Sequence, residues 1–164
     1  MRGGVLSAAI AMIAAPGLAS DLVFDPAPTL SCLQQVSDGA QSYDCIGLAA
    51  SACMAQPMGE TTVGMGFCLG EEFDLWDAKL NDAYQMLRAE YAAQDAARFE
   101  GAPAMVAQLR DMQRAWIGFR DARCGFEAAQ WHGGTGANPS FLGCVMQLTA
   151  DQTLYLWSVF QGVQ

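Results

Sequence analysis

Basic residues are scarce. Eight Lys and Arg stand against 17 Asp and Glu in 164 residues, a formal charge of -9. Binding to a phosphate backbone rests on clustered Lys and Arg, so no nucleic-acid partner is expected. Histidine occurs once, at His132. The chain has no Cys-x-x-Cys and no Cys-x-x-Cys-His, which removes the usual zinc and haem frameworks; neither metal nor cofactor is expected. Charged residues make up only 15% against 52% hydrophobic, the reverse of a disordered chain. Beyond the N-terminus no apolar run approaches the ~20 residues of a membrane span. No strand-like alternation of useful length occurs either. What remains is enough for one folded domain.

The N-terminus has the three parts of a secretory signal. Arg2 is its only charge, Val5 to Ala15 is apolar, and Gly17-Leu18-Ala19 offers small residues at a cleavage site. Residues 1–19 are therefore expected to be a signal peptide, and the remainder to be periplasmic or secreted. Loss of Arg2 leaves seven bases against 17 acids, a net of -10 over residues 20–164. The distribution is lopsided: residues 20–78 hold nine acids and no base. An acidic surface of that kind favours cationic partners.

Six cysteines, Cys32, Cys45, Cys53, Cys68, Cys124 and Cys144, read as disulfides in an oxidising compartment. Fifteen pairings are possible in principle. Nearest-neighbour closure suggests Cys32–Cys45, Cys53–Cys68 and Cys124–Cys144, each adding about 3 kcal/mol by restricting the unfolded chain.

Two regions follow from the periodicity. Residues 20–60 form an irregular, disulfide-containing arm broken by Pro26, Pro28 and Pro57, with a short helix near 46–55. Residues 61–164 are helical. Met65, Leu69, Phe73, Trp76, Leu80, Tyr84, Leu87 and Tyr91 make one apolar stripe, which puts Glu71, Asp74 and Asp82 on the solvent side. Gly101-Ala102-Pro103 interrupts the helix. A second stripe runs through Met105, Leu109, Met112, Trp116, Phe119 and Phe126 to the Gly133-Gly134-Thr135-Gly136 loop. Asn138-Pro139 opens a third helix, and Thr149-Ala150-Asp151-Gln152 resembles a capping box that would break or bend it. The expected fold is all-α: a long antiparallel helical hairpin with a third packed helix.

Several residues together resemble a known family. They are Cys53 and Cys68; Glu72, Trp76-Asp77, Leu80-Asn81 and Tyr84; Gln113-Arg114-Ala115-Trp116-Ile117, Phe119-Arg120-Asp121-Ala122 and Cys124; then Gly133-Gly134-Thr135, Cys144 and Leu148-Thr149. The chain is similar over about residues 50–158 to the lysozyme inhibitor LprI-like family of small exported bacterial helical domains. The family carries an Arg about three residues after Leu-Thr, where Gln152 stands here. The resemblance implies a non-catalytic, disulfide-stapled domain with lysozyme inhibition among its members.

The polar residues on these helices divide into two sets. Asp77 and Asn81 lie at the edge of the first stripe and Arg120 and Arg123 on or near the second. An ion-pair network across the hairpin, flanked by Tyr84 and Trp116, would spare a core-facing charge the cost of burial alone; the competing reading sends Arg120 into a partner's active site. Glu71, Glu72 and Asp74, with the loop residues Trp131, His132, Gly133 and Gly134, form the candidate partner-binding set. Trp131 either covers a helix end or meets a partner, and His132 faces solvent. The acids scatter around the helix axis, which argues against a glycosidase pair and against an enzyme. The expected function is an exported, non-catalytic binder occluding a cationic lysozyme; the alternative is a cell-envelope interaction protein without lysozyme activity.

Overall fold

The computed structural model describes residues 22–36 and 41–163. The signal assigned to residues 1–19 lies outside them. Among the described residues there are five α-helices, one 3-10 turn and no strand: α1 (Ala27–Gln35), the 3-10 turn Gln41–Cys45, α2 (Leu48–Met54), α3 (Thr62–Ala97), α4 (Met105–Ala129) and α5 (Ala137–Val163).

The ends of the long helices are set by local chemistry. The Thr61 hydroxyl accepts from Gly64 N at 3.0 Å and caps α3. Near the other end of α3, the Asp95 carboxylate accepts from Met105 N and Val106 N at 2.8 and 3.0 Å, so it caps α4 across the turn. Gly101, at φ 89, reverses the chain between them. Pro103 precedes α4 rather than sitting in its first turn.

α3 and α4 form the antiparallel hairpin, and α5 packs along α3 and against α4. The core holds three clusters. Leu80, Ala83, Leu87, Tyr91, Leu109 and Leu156 join the three helices at one end. Trp76, Met146, Ala150 and Leu154 meet Ala50 of α2 in the middle. Cys124, Cys144, Val145 and Leu148 close the α4–α5 seam. Full burial of each Leu contributes roughly 1.5–3 kcal/mol relative to exposure. Trp76 is wholly buried, and Trp116 and Trp157 pack against the same clusters.

The first helical stripe is the buried face of α3, with Glu71, Asp74 and Asp82 exposed as expected. The second stripe needs correction at its C-terminal end. Phe119 and Phe126 are exposed, and the buried line of α4 runs instead through Leu109, Met112, Trp116, Arg120 and Cys124. α5 does not break at Thr149–Gln152. There the Thr153 hydroxyl donates to Thr149 O at 2.8 Å, a bond back along the same helix, and both threonines are fully buried.

The six cysteines pair as Cys32–Cys45, Cys53–Cys68 and Cys124–Cys144, with Cα separations of 5.5, 5.6 and 5.4 Å. They tie α1 to the 3-10 turn, α2 to α3 and α4 to α5. The N-terminal arm is more regular than its prolines suggest. Pro26 and Pro28 stand at the start of α1, where a proline removes no helical hydrogen bond, and the Asp25 carboxylate accepts from Ala27 N at 2.9 Å. The expected short helix is α2. Ahead of α1, Gln56 exchanges two bonds with the Val23 backbone, at 3.2 and 2.7 Å, and fixes where the arm begins.

Candidate functional site

Glu72 is the centre of the arm's attachment rather than a surface acid. Its side chain is fully buried. Oε1 accepts from Thr29 Oγ1 at 2.9 Å, from Gly47 N at 2.8 Å and from Trp76 Nε1 at 3.1 Å; Oε2 accepts from Ala50 N. The Thr29 hydroxyl in turn accepts from Ala49 N at 3.1 Å. The first N–H groups of α2 have no partner within that helix, and α2 itself has no side-chain cap. Glu72 and Thr29 supply one from two other helices, and the positive end of the α2 dipole faces the carboxylate. Glu72 is therefore removed from the partner-binding set. The sequence does carry a signal for this: Cys68, bonded to Cys53, must face the arm, and Glu72 lies one helical turn further on.

The proposed ion-pair network across the hairpin is also corrected. Asp77 accepts from Asn81 at 3.1 Å, one turn along its own helix. Arg123 pairs with Glu127 on its own helix at 3.2 Å, and its side chain is half exposed. Among the described residues neither arginine pairs with Asp77. Arg120 is the buried one, at 14% side-chain exposure. Its guanidinium lies 5.1 Å from the Trp116 ring and 5.8 Å from the Phe73 ring, donates to Thr149 Oγ1 at 3.3 Å and holds Asp121 at 2.9 Å. Asp121 on its own helix, two aromatic faces and a hydroxyl, rather than a carboxylate on α3, satisfy the charge. That arrangement joins α3, α4 and α5 and keeps the Arg120 guanidinium from projecting into solvent. Tyr84 packs on the Leu80–Leu87 cluster. Gln152, at the family's arginine position, donates to Gln113 Oε1 at 3.0 Å and to Met112 Sδ at 3.4 Å.

The loop Trp131–Gly136 is a tight reversal. Gly134 N donates to Trp131 O at 2.8 Å, and His132 and Gly133 take positive φ angles of 48 and 81. A β-carbon on Gly136 would fall 2.2 Å from the Trp131 ring, so the ring packs directly against the residue that precedes α5. Trp131 thus covers a helix end while the residue stays 53% exposed. His132, Gly133 and Gly134 are exposed around it. The loop and the first half of α3 share one end of the molecule, since Asn138 at the start of α5 packs on Gly66 of α3.

The segment from residue 22 to residue 78 carries acids alone, although the half-exposed Arg123 of α4 lies at the same end of the molecule. Asp25, Asp44, Glu60, Glu71 and Asp74 are exposed, and no base occurs before Lys79 among the described residues. Burial and the nearby Tyr155 push the Tyr91 phenol up, whereas the two backbone N–H groups on Asp95 hold its carboxyl below the usual value. No group of three or more His, Cys, Asp or Glu among the described residues is placed to hold a metal ion. No described helix is long and apolar enough to cross a membrane.

Comparison with known proteins gives a consistent result. The model of the family described as lysozyme inhibitor LprI matches residues 53–156. An uncharacterized 17.7 kDa protein encoded in the puhA 5′ region of Rhodobacter capsulatus is 28% identical over 141 residues, 82% of this chain and 85% of that protein. An uncharacterized protein of Rhizobium meliloti is 28% identical over 106 residues, 61% of this chain and 74% of that protein. No solved structure matches. The matched span contains two of the three disulfides, Glu72 and the Arg120 cluster, and the chain belongs to the lysozyme inhibitor LprI family.

Proposed function

We propose that this protein is an exported, non-catalytic binder that inhibits a cationic lysozyme by occluding its cleft. The carrying observation is the run of exposed acids from Asp25 to Asp74, with no base among them in sequence, on a member of this family. Animal-type lysozymes are strongly cationic, and such a surface would steer them into contact at rates that fall with salt. Glu60, Glu71 and Asp74 provide the charge, and the half-exposed Trp131 provides an aromatic anchor of the kind that dominates interface energies. The three disulfides suit an oxidising compartment outside the cytoplasm. Lysozyme turbidity kinetics, with the protein lacking residues 1–19 and at rising salt, test the reading. Inhibition at low ionic strength that weakens with salt supports it. Absence of inhibition at low ionic strength overturns it and favours a cell-envelope interaction role instead.

A further inference from the structure

The outward face of α4 carries a repeat that the fold does not use. Ala115, Gly118 and Phe119 recur seven residues on as Ala122, Gly125 and Phe126. All six are exposed, with Phe119 at 56% and Phe126 at 68%. They lie away from the buried line through Leu109, Trp116 and Cys124. A seven-residue recurrence of apolar positions is the pattern of a helix seam that meets another helix. A β-carbon on Gly118 or Gly125 would touch nothing within 4 Å, so packing inside this chain requires neither glycine. Each nonetheless weakens the helix interior relative to Ala. Gly70 and Gly162 are equally open but belong to no such repeat.

We propose that this face binds a second copy of the chain, with the two α4 helices antiparallel and the two-fold axis beside Gly118. That register sets Ala115 opposite Ala122 of the second copy and seats each Phe119 ring over small residues. It also sets Arg114 opposite the second copy's Asp121, twice by symmetry. Arg114 is the one arginine among the described residues with no hydrogen bond, and both bonds from Arg120 to Asp121 end on Oδ1, leaving Oδ2 open. Charge selects this face over the others. Two copies of an acidic chain repel elsewhere, but α4 balances its three acids with three exposed arginines, Arg110, Arg114 and Arg123, besides the buried Arg120. A single helix face about 20 Å long buries well under the ~800 Å² per partner of a stable interface, so the dimer is weak and reversible.

Sedimentation velocity from micromolar to millimolar concentration tests this without reference to lysozyme. The protein is expected to shift from monomer to dimer with concentration. The double variant Phe119→Asp/Phe126→Asp should stay monomeric with an unchanged helical spectrum. Gly118→Glu, which favours the helix and sets two carboxylates together at the axis, should do the same and serves if the double variant fails to fold. Arg114→Asp should raise the dimer dissociation constant about tenfold. A monomer at all concentrations, or dimerisation of Gly118→Glu equal to that of the parent, overturns the proposal.

Discussion

Thr29 and Glu72, both fully buried, share a hydrogen bond of 2.9 Å across 43 residues of sequence. Through it the N-terminal arm and the longest helix hold the start of α2 jointly. Replacing Glu72 by Ala leaves Gly47 N, Ala50 N and the Trp76 indole without partners, at a cost of about 3–5 kcal/mol. Thr29→Val, which keeps shape and removes one donor and acceptor, should cost about 1–2 kcal/mol. Urea unfolding measures both. A loss below about 1 kcal/mol for Glu72→Ala would contradict the role assigned to it.

Arg120 and Asp77 should be energetically independent, because Asp121, aromatic rings and Thr149 hold the former while Asn81 holds the latter. A double-mutant cycle with Arg120→Ala and Asp77→Ala is expected to give a coupling within about 0.5 kcal/mol of zero. Arg120→Lys should destabilise by about 1–2 kcal/mol, since an ammonium cannot stack on Trp116 and reach Thr149 together. Asp77→Asn should change stability little.

Acid should loosen the α3–α4 turn. The Asp95 carboxyl is held below its ordinary value by Val106 N and Met105 N. A lowered pKa stabilises the fold above the unfolded value and is lost as pH falls through the folded one. Stability should therefore drop below about pH 4, and Asp95→Asn should flatten that part of the profile. Tyr91 has the opposite sign of pH dependence: its raised pKa stabilises the fold below the ordinary tyrosine range and is lost as pH rises through it. Thermal melts across pH, with Tyr91→Phe as the comparison, separate the two ends.

Each disulfide should be separable. Replacing Cys32 and Cys45 by Ser should cost about 3 kcal/mol and increase protease cleavage in the arm while α3 to α5 remain helical. Replacing Cys124 and Cys144 should instead loosen the seam that holds Val145 and Leu148. Non-reducing peptide mapping checks the pairings, and limited proteolysis the location of each effect.

The acidic surface gives the lysozyme reading its own variants. Glu60→Gln, Glu71→Gln and Asp74→Gln combined should weaken inhibition roughly tenfold at low salt, mainly through the association rate, and reduce the salt dependence. Trp131→Ala should weaken it through the dissociation rate. Stability should move by less than about 0.5 kcal/mol for the three acids, because all are exposed.

Much of this architecture was legible because it is local. Apolar spacing marked the buried face of α3, and Gly101 and the glycine loop marked the reversals. Short separations made neighbouring cysteines the natural pairs. Other features depend on segments distant in sequence meeting in space. Glu72 reads as one more acid in an acidic run until Thr29 and the start of α2 close over it, and only then is its charge satisfied without a base. In sequence Arg120 invites a carboxylate on α3, whereas α5 brings Thr149 beneath it and leaves Phe73 and Trp116 at its sides. Phe119 and Phe126 continue an apolar stripe in sequence but turn outward, because α5 and the Cys124–Cys144 bond fix the rotation of α4. Local spacing and composition mark α3, the turn after it and the excess of acids, but miss α1 and place a break in α5 that does not occur. The tertiary structure decided which polar groups are buried and what satisfies them, because that depends on how the helices are rotated and docked against one another.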